Sequence, residues 1–435
     1  MVYIIVTRLK LSFENYGKIN AIVWSVSAVF DPVIGLISDS VKKNWRRSGF
    51  VFVSAIVVPL SYGIFMTSKA INGHNNVVIY CIIVLLIFNL GKSFYKSPYS
   101  ALASEMSDDK NIKWNFTMVR TVFTNGGCLV GNIYMNLVVG KNSDVEDKNA
   151  GIIIIGVYSA IFMFLCQIFC LILLKFPKYK PVEESTESVS RKPWKIWHIV
   201  TVYSHCAFIG LMLVNFLVQM SIQIINSNIK QYLDLSVKKS RYFNYCLITI
   251  LSSVVLGTFL LHKLKDIIEM RWSFIFGLLL LIISFYLFDF WVTDSLAGDF
   301  ALFSACILNG IGTSAGYYCI RCMLDQIIIN DRKLGYERNA VLNGHQSSTT
   351  RIGYGAGTLI IGLYLKSFEP ELLDPDLSAI DEAKLNEIGI RIKNVTTSFP
   401  MILLTLSVLL LLTYPLYEKK HLCKSTRPYD NQKFY

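Results

Sequence analysis

The chain has 435 residues, 53% of them hydrophobic, with a mean hydropathy of +0.46 and a formal net charge of +12. Apolar runs recur along nearly its whole length, among them 152–174, 272–291 and 399–416; each can cross a hydrocarbon core about 30 Å thick, which takes roughly 20 helical residues. This excludes a soluble globular domain, and the length of the runs excludes a transmembrane β-barrel, whose strands are short and alternating.

In chain order, hydropathy predicts a partial first span over 1–9, then spans over 15–37, 49–68, 77–102, 116–139 and 151–175. A polar linker follows, then spans over 196–227, 240–261, 272–292, 300–327, 342–365 and 398–417. The fold class is therefore an all-α membrane protein. Its expected domains are an N-terminal helix bundle over 1–175, a linker over 176–195, a C-terminal bundle over 196–417 and a tail over 418–435. The linker carries Pro177, Pro181 and Pro193 with a Glu/Ser-rich patch, a flexible composition. No cleavable signal peptide is expected, because 1–9 is too short and no small-residue cleavage site follows.

Loop charges orient the spans. The loops at 42–47 and 175–195 are rich in Lys and Arg, whereas 294–299 has no basic residue and 369–382 is acidic. Basic loops stay in the cytoplasm, so linker, tail and both termini of the complete protein are expected there. The basic loop at 230–241 breaks the pattern. The net positive charge thus reads as an orientation signal, and no nucleic-acid partner is expected. The ten cysteines lack metal-site spacing and sit mostly inside apolar runs, as packing residues. The Asn115 sequon falls in an expected cytoplasmic loop, and that at Asn394 outside, just before the last span. Two groups of six spans joined by a cytoplasmic linker make the major facilitator plan, in which substrate binds near the midplane and the halves rock around it.

Particular residues carry a narrower resemblance. Span two ends in FDPVIGLISD at 30–39, followed by KKNWRR at 42–47; SPYSALASE occupies 97–105; Arg120 opens span five; a charged stretch runs from Asp325 to Arg338; and YPLYEKKH occupies 414–421. Taken in order, these resemble the glycoside–pentoside–hexuronide:cation symporters, the melibiose permease family, to which the sodium-dependent lysophosphatidylcholine symporters are related. The resemblance covers essentially the whole chain; its second-helix motif is fairly specific and the rest are weak singly. It implies the major facilitator fold with two six-helix halves. The family's first helix is a full span, whereas this chain opens mid-helix, so a truncated first helix is expected.

Cation coupling is the other departure. Sodium-using members place two carboxylates one turn apart on helix two, on one face, where oxygens can surround a hard cation. Here Asp31 keeps the second position, Ser27 occupies the first, and Lys96 stands where those members have a helix-four carboxylate. The expectation is that Lys96 pairs with Asp31 as a fixed cation, making transport independent of sodium, with Na+ or H+ coupling left open and no resident cofactor. Arg351 takes the place of a family lysine, and its planar fork suits a carboxylate: Asp31 across the halves, or an anionic group on the substrate.

The candidate substrate-binding set is Asp31, Lys96, Arg120, Arg351, His345 and Gln346. Asp39, Lys42, Arg46, Arg47, Asp325 and Arg338 form a candidate cytoplasmic gating motif, in which Asp325 and Arg338 tie the loop between spans ten and eleven to the bundle. Each has a bland reading beside the functional one: a helix cap for Asp31, a snorkelling lysine for Lys96, a structural ion pair for Arg351, a lipid headgroup contact for Arg120, and packed polar residues for His345 and Gln346. The leading expectation is a secondary transporter of a small polar solute, a sugar or glycoside, acting as a monomer among membrane lipid. A lysophospholipid carrier is the near alternative and a non-transporting receptor the distant one. A multi-pass enzyme finds no His/Asp cluster at one membrane face, and no nucleotide-binding loop occurs for ATP-driven transport. The plasma membrane and an intracellular membrane are equally open.

Overall fold

The computed structural model describes residues 13–41, 48–67, 74–105, 109–139, 145–175, 206–292, 295–333, 338–366 and 382–414. The expected partial first span, the linker, the tail and the basic loop with Lys42, Arg46 and Arg47 lie outside the described residues.

The chain is helical throughout this range. The helices are α1 (Phe13–Ser40), α2 (Ser48–Thr67), α3 (His74–Glu105), α4 (Lys110–Val139), α5 (Val145–Lys175), α6 (Cys206–Gln231), α7 (Phe243–Leu264), α8 (Met270–Phe290), α9 (Leu296–Lys333), α10 (Asn339–Lys366), α11 (Glu382–Thr396) and α12 (Ser398–Thr413). A π-helical turn, Tyr232–Ser236, extends α6. Among the described residues nine helical spans are long and apolar enough to cross a membrane, the last running through both α11 and α12. The exceptions among the long helices are α4 and α10, which carry several of the polar residues considered below.

Two of the ends that differ from the sequence expectation have a visible cause. α4 begins earlier than 116, because Asp109 caps it: the Asn111 N–H donates to Asp109 Oδ1 at 2.8 Å and the Lys113 N–H to the Asp109 carbonyl at 3.1 Å. Asn115 therefore lies in a helix, not a loop. The last span starts near Asn386 instead of 398. α11 is too polar to register as apolar, yet Ile388 and Ile392 are buried, Ser236 donates to the Gly389 carbonyl at 2.7 Å, and the Thr397 and Met401 amides carry the hydrogen bonding into α12. Asn394 lies inside this helical run.

α1, α2, α3 and α5 pack on one another, and α6–α9 with α10 and α12 form a second group. In the best apolar windows 72% of α6 is buried but only 11% of α5, so α6 forms the core of its bundle while α5 lies at the periphery. α5 turns Phe162, Leu165 and Phe169 outward, as expected for a surface solvated by lipid chains. α4 packs more on α7 and α9 than on its own neighbours, and α1 lies along α10. These are the contacts that join the groups.

The α1–α10 seam depends on glycine at two points. A Cβ on Gly35 would stand 2.5 Å from the Ala340 carbonyl oxygen, and one on Gly344 2.6 Å from the Asp31 carbonyl oxygen. Small residues let helix backbones touch where apolar burial alone gives no drive to associate. Part of the basic loop at 230–241 finds an explanation: Lys239 is buried in an ion pair with Asp299 (Nζ–Oδ1 2.5 Å) that Tyr242 joins through its hydroxyl. Lys230, Lys238 and Arg241 are exposed.

Candidate functional site

Asp31 lies on α1, one residue before Pro32. Its side chain is fully buried, and Arg351 of α10, 2% exposed, places Nε 2.9 Å from its Oδ2. The contact is an ion pair without hydrogen-bond alignment: neither Asp31 oxygen accepts a hydrogen bond among the described residues. Arg351 also donates from Nη1 to the Asn89 carbonyl of α3 at 3.2 Å and lies 5.9 Å from the Trp24 ring centroid. One guanidinium thus ties three helices together across the two groups.

The expected Lys96–Asp31 pair is not formed. Lys96 is half-exposed, makes no ion pair among the described residues, and lies in the electrostatic field of Asp31, Arg351, Arg321 and Arg120. The α3 residue that meets Asp31 is Ser97, whose Oγ approaches the Asp31 carbonyl at 3.4 Å. Ser27 gives its hydroxyl to the Val23 carbonyl of its own helix at 2.6 Å, directing it away from the carboxylate.

Arg120 is half-exposed in the third turn of α4, donates to Ser100 Oγ at 2.8 Å and sits 5.4 Å from the Tyr99 ring. Tyr99 stacks on Tyr95 at 4.8 Å. His345 and Gln346 do not join this group. Both are buried against α6: His345 meets Phe208 edge-on, and the Gln346 carbonyl accepts from Asn215, which also donates to Thr350.

Sequence reasoning passed over Lys92 of α3 and Arg321 of α9. Lys92 is exposed beside the Phe88 ring and lies in the field of Arg351, while Arg321 is half-exposed and interacts with Arg120 and Asp325. Both were findable, since a charge within an apolar span is a functional candidate by default. Tyr317 and Tyr354 add half-exposed phenols between α9 and α10, and Trp24 meets Tyr354 edge-on at 5.7 Å. Side chains from α1, α3, α4, α9 and α10 are therefore neighbours where the two groups meet, and they are rich in cations and aromatic rings.

The gating residues lie toward one end of the seam. Asp39 Oδ2 accepts from the Ala340 and Val341 N–H groups at 3.0 and 3.1 Å, capping α10 from α1. A carboxylate at a helix N-terminus meets both the unsatisfied amides and the positive end of the dipole. Arg338 binds Asp331 through two nitrogens at 2.5 and 3.1 Å, and both residues are buried. Asp325 does not tie down the loop as expected: it lies two turns inside α9 and accepts from Thr117 of α4 at 3.1 Å. Nearby, Trp114 of α4 donates Nε1 to the Cys322 carbonyl at 3.2 Å, with the Lys110 and Lys265 ammoniums 4.6 and 4.9 Å from its ring. A cavity of about 330 Å³ beside it is lined by Lys110, Lys265 and Arg271.

Residues 6–418 match the family model of the MFS/sugar transport proteins. The chain belongs to that family. An uncharacterized symporter of Synechocystis sp. is 25% identical over 133 residues, which are 28% of this chain and 24% of the relative, so the match spans about a quarter of that protein. Among solved structures, a bacterial homologue of the iron transporter ferroportin, in its outward-facing state, aligns with a TM-score of 0.61 at 13% identity, over 90% of this chain and 88% of the other. The human organic anion transporter MFSD10 aligns at 0.59 and 14% over 91% and 83%. A bacterial homologue of the human lysosomal transporter Spinster, inward-facing, aligns at 0.57 and 15% over 94% and 89%. At these identities the likeness is one of fold: an integral, multi-pass major facilitator protein.

Proposed function

We propose that this MFS/sugar transport protein carries a small polar solute, a sugar or glycoside, by alternating access around the space between Asp31, Arg120, Arg321 and Arg351, and that it does so without a bound sodium ion. The Asp31–Arg351 pair carries the reading. A hard cation needs several oxygens around it, but the one carboxylate of α1 available at this depth already has a guanidinium 2.9 Å away, and Ser27 stands where a second carboxylate would be. On this reading the chain is a branch of the glycoside–pentoside–hexuronide symporters in which a fixed cation replaces the mobile one; Arg351 supplies it, in place of the Lys96 of the sequence expectation.

The aromatic side chains suit a sugar, whose apolar ring faces stack on phenol and indole while its hydroxyls take hydrogen bonds. The seam formed by Asp39, Trp114 and Thr117 with α9 and α10 is the closed end, which the loop charges assign to the cytoplasm. Toward the other end of α4, a Cβ on Gly126, Gly127 or Gly131 would meet nothing within 4 Å, in keeping with a cleft open to the outside. Uptake of labelled sugars into proteoliposomes, with and without a sodium gradient, tests the proposal. Uptake indifferent to sodium is expected. Sodium-driven uptake would refute the fixed-cation mechanism, and uptake of a lysophospholipid with no sugar uptake would replace the substrate class.

A further inference from the structure

The central space holds more positive charge than its own carboxylates neutralise. Lys92, Lys96, Arg120, Arg321 and Arg351 belong to one electrostatic group, and the carboxylates among them are Asp31 and Asp325. Five cations meet two carboxylates, a surplus of three. Arg351 is matched by Asp31, and Asp325 is shared between Arg120, Arg321 and the Thr117 hydroxyl. Among the described residues Lys92, Lys96 and Arg321 form no ion pair; Lys92 is exposed and the other two are half-exposed.

Charges at membrane depth are normally paired, because the surrounding medium cannot solvate them. These side chains come from both helix groups, α3 and α4 on one side and α9 and α10 on the other, so a ligand that neutralises them must lie between the groups. Guanidinium forks match the oxygens of a phosphate or carboxylate.

We propose that the cleft binds an oxyanion, specifically a phosphomonoester carrying about −1.5 to −2 charges, and exchanges one such anion for another instead of moving a neutral sugar alone. This rests on the cleft being the transport path. Exchange follows from the charge balance. With an anion bound, the closed intermediate carries about one unmatched positive charge in place of three; empty, it would carry all three through a state shut off from water on both sides. The loaded carrier therefore reorients faster than the empty one. The surplus also repels a sodium ion, consistent with Arg351 occupying the carboxylate of Asp31.

The test is counterflow in proteoliposomes containing the full chain. Labelled inorganic phosphate, glucose 6-phosphate and a neutral methyl glucoside are offered outside; the vesicles hold either phosphate or a neutral sugar. Internal phosphate is expected to speed entry of the two phosphates by about tenfold or more, a difference of about 1.4 kcal/mol in barrier. Arg321→Gln and Lys92→Gln should each cut that entry by a comparable factor; Lys92 is exposed in the cleft, so its variant reports on the site even if Arg321→Gln fails to fold. Lysophosphatidate exchanging where the soluble phosphates do not would support the oxyanion site with a lipid source. Methyl glucoside entering at a rate indifferent to internal phosphate, with neither phosphate moving, overturns this proposal and leaves the transport reading standing. Phosphate entering vesicles that hold phosphate and vesicles that hold the neutral sugar equally fast overturns the exchange. Flux of none of the probes overturns both.

Discussion

Breaking the Asp31–Arg351 pair one partner at a time should be far worse than removing both. Asp31 has no exposed surface and no hydrogen-bond donor among the described residues, so its charge is balanced by the guanidinium 2.9 Å away. Arg351→Gln leaves that carboxylate buried and alone, which costs about 3–5 kcal/mol. Asp31→Asn leaves the guanidinium with the Asn89 carbonyl at 3.2 Å and the Trp24 face, two partial compensations, so the cost should fall at the lower end of that range. The double variant, with Asp31→Asn and Arg351→Gln together, has no charge left to strand. Its coupling energy should reach about 2–3 kcal/mol, the upper part of what neighbouring residues show. The assay is a double-mutant cycle on the purified protein, unfolding it in mixed micelles while following tryptophan fluorescence, with the native state checked by gel filtration. Additive losses, with coupling below about 0.5 kcal/mol, would show that water or lipid solvates one of these groups, and the fixed-cation argument would fall with the pair.

Other expectations follow from the seam. Gly344→Ala should destabilise by about 1–3 kcal/mol, because the new methyl meets backbone that cannot step aside; Gly126→Ala, with open space around it, should be neutral or stabilise by up to about 1 kcal/mol, and thermal melts in detergent compare the two. Asp39→Ala removes the cap on α10 and should cost about 1 kcal/mol in the same melt, with Asp39→Asn recovering part of it. Trp114→Phe loses the hydrogen bond to the Cys322 carbonyl, worth about 0.5–1.5 kcal/mol. If that end opens during transport, maleimide labelling of the buried Cys322 should accelerate up to about tenfold; an unchanged labelling rate would mean the end is held elsewhere.

The apolar helices were legible because nothing but length and hydropathy is needed to place them. α8 is such a case, expected over 272–292 and found at Met270–Phe290. Where a helix starts on polar residues, hydropathy fails for a physical reason: Asp109 begins α4 by capping, and α11 is held by Ile388, Ile392 and a backbone contact at Gly389, none of which raises the average of its window. Part of the basic loop at 230–241 misled in the opposite way, since the charge of Lys239 is spent on Asp299 inside the fold.

Within the site, charges at membrane depth could be read from the sequence but their pairing could not. Lys96 and Arg351 were both eligible partners for Asp31, and hydropathy does not distinguish them. Helix rotation decides it. Successive helical residues are separated by about 100° around the axis, so only one of Lys96 and Ser97 can face α1, and Ser97 does, at 3.4 Å from the Asp31 carbonyl. Lys96 is left without an ion pair among the described residues, in the field of Arg351 and Asp31 and, more weakly, of Arg321 and Arg120. On the opposite side, Gly344 brings the backbone of α10 against Asp31 itself, so Arg351, two turns further along α10, reaches the carboxylate from above. The glycine that permits this contact and the lysine it leaves unpaired are parts of one arrangement. Asp31 can neutralise one cation, the helix seam gives it to Arg351, and the charge left on Lys96, Lys92 and Arg321 is what a substrate entering the cleft encounters.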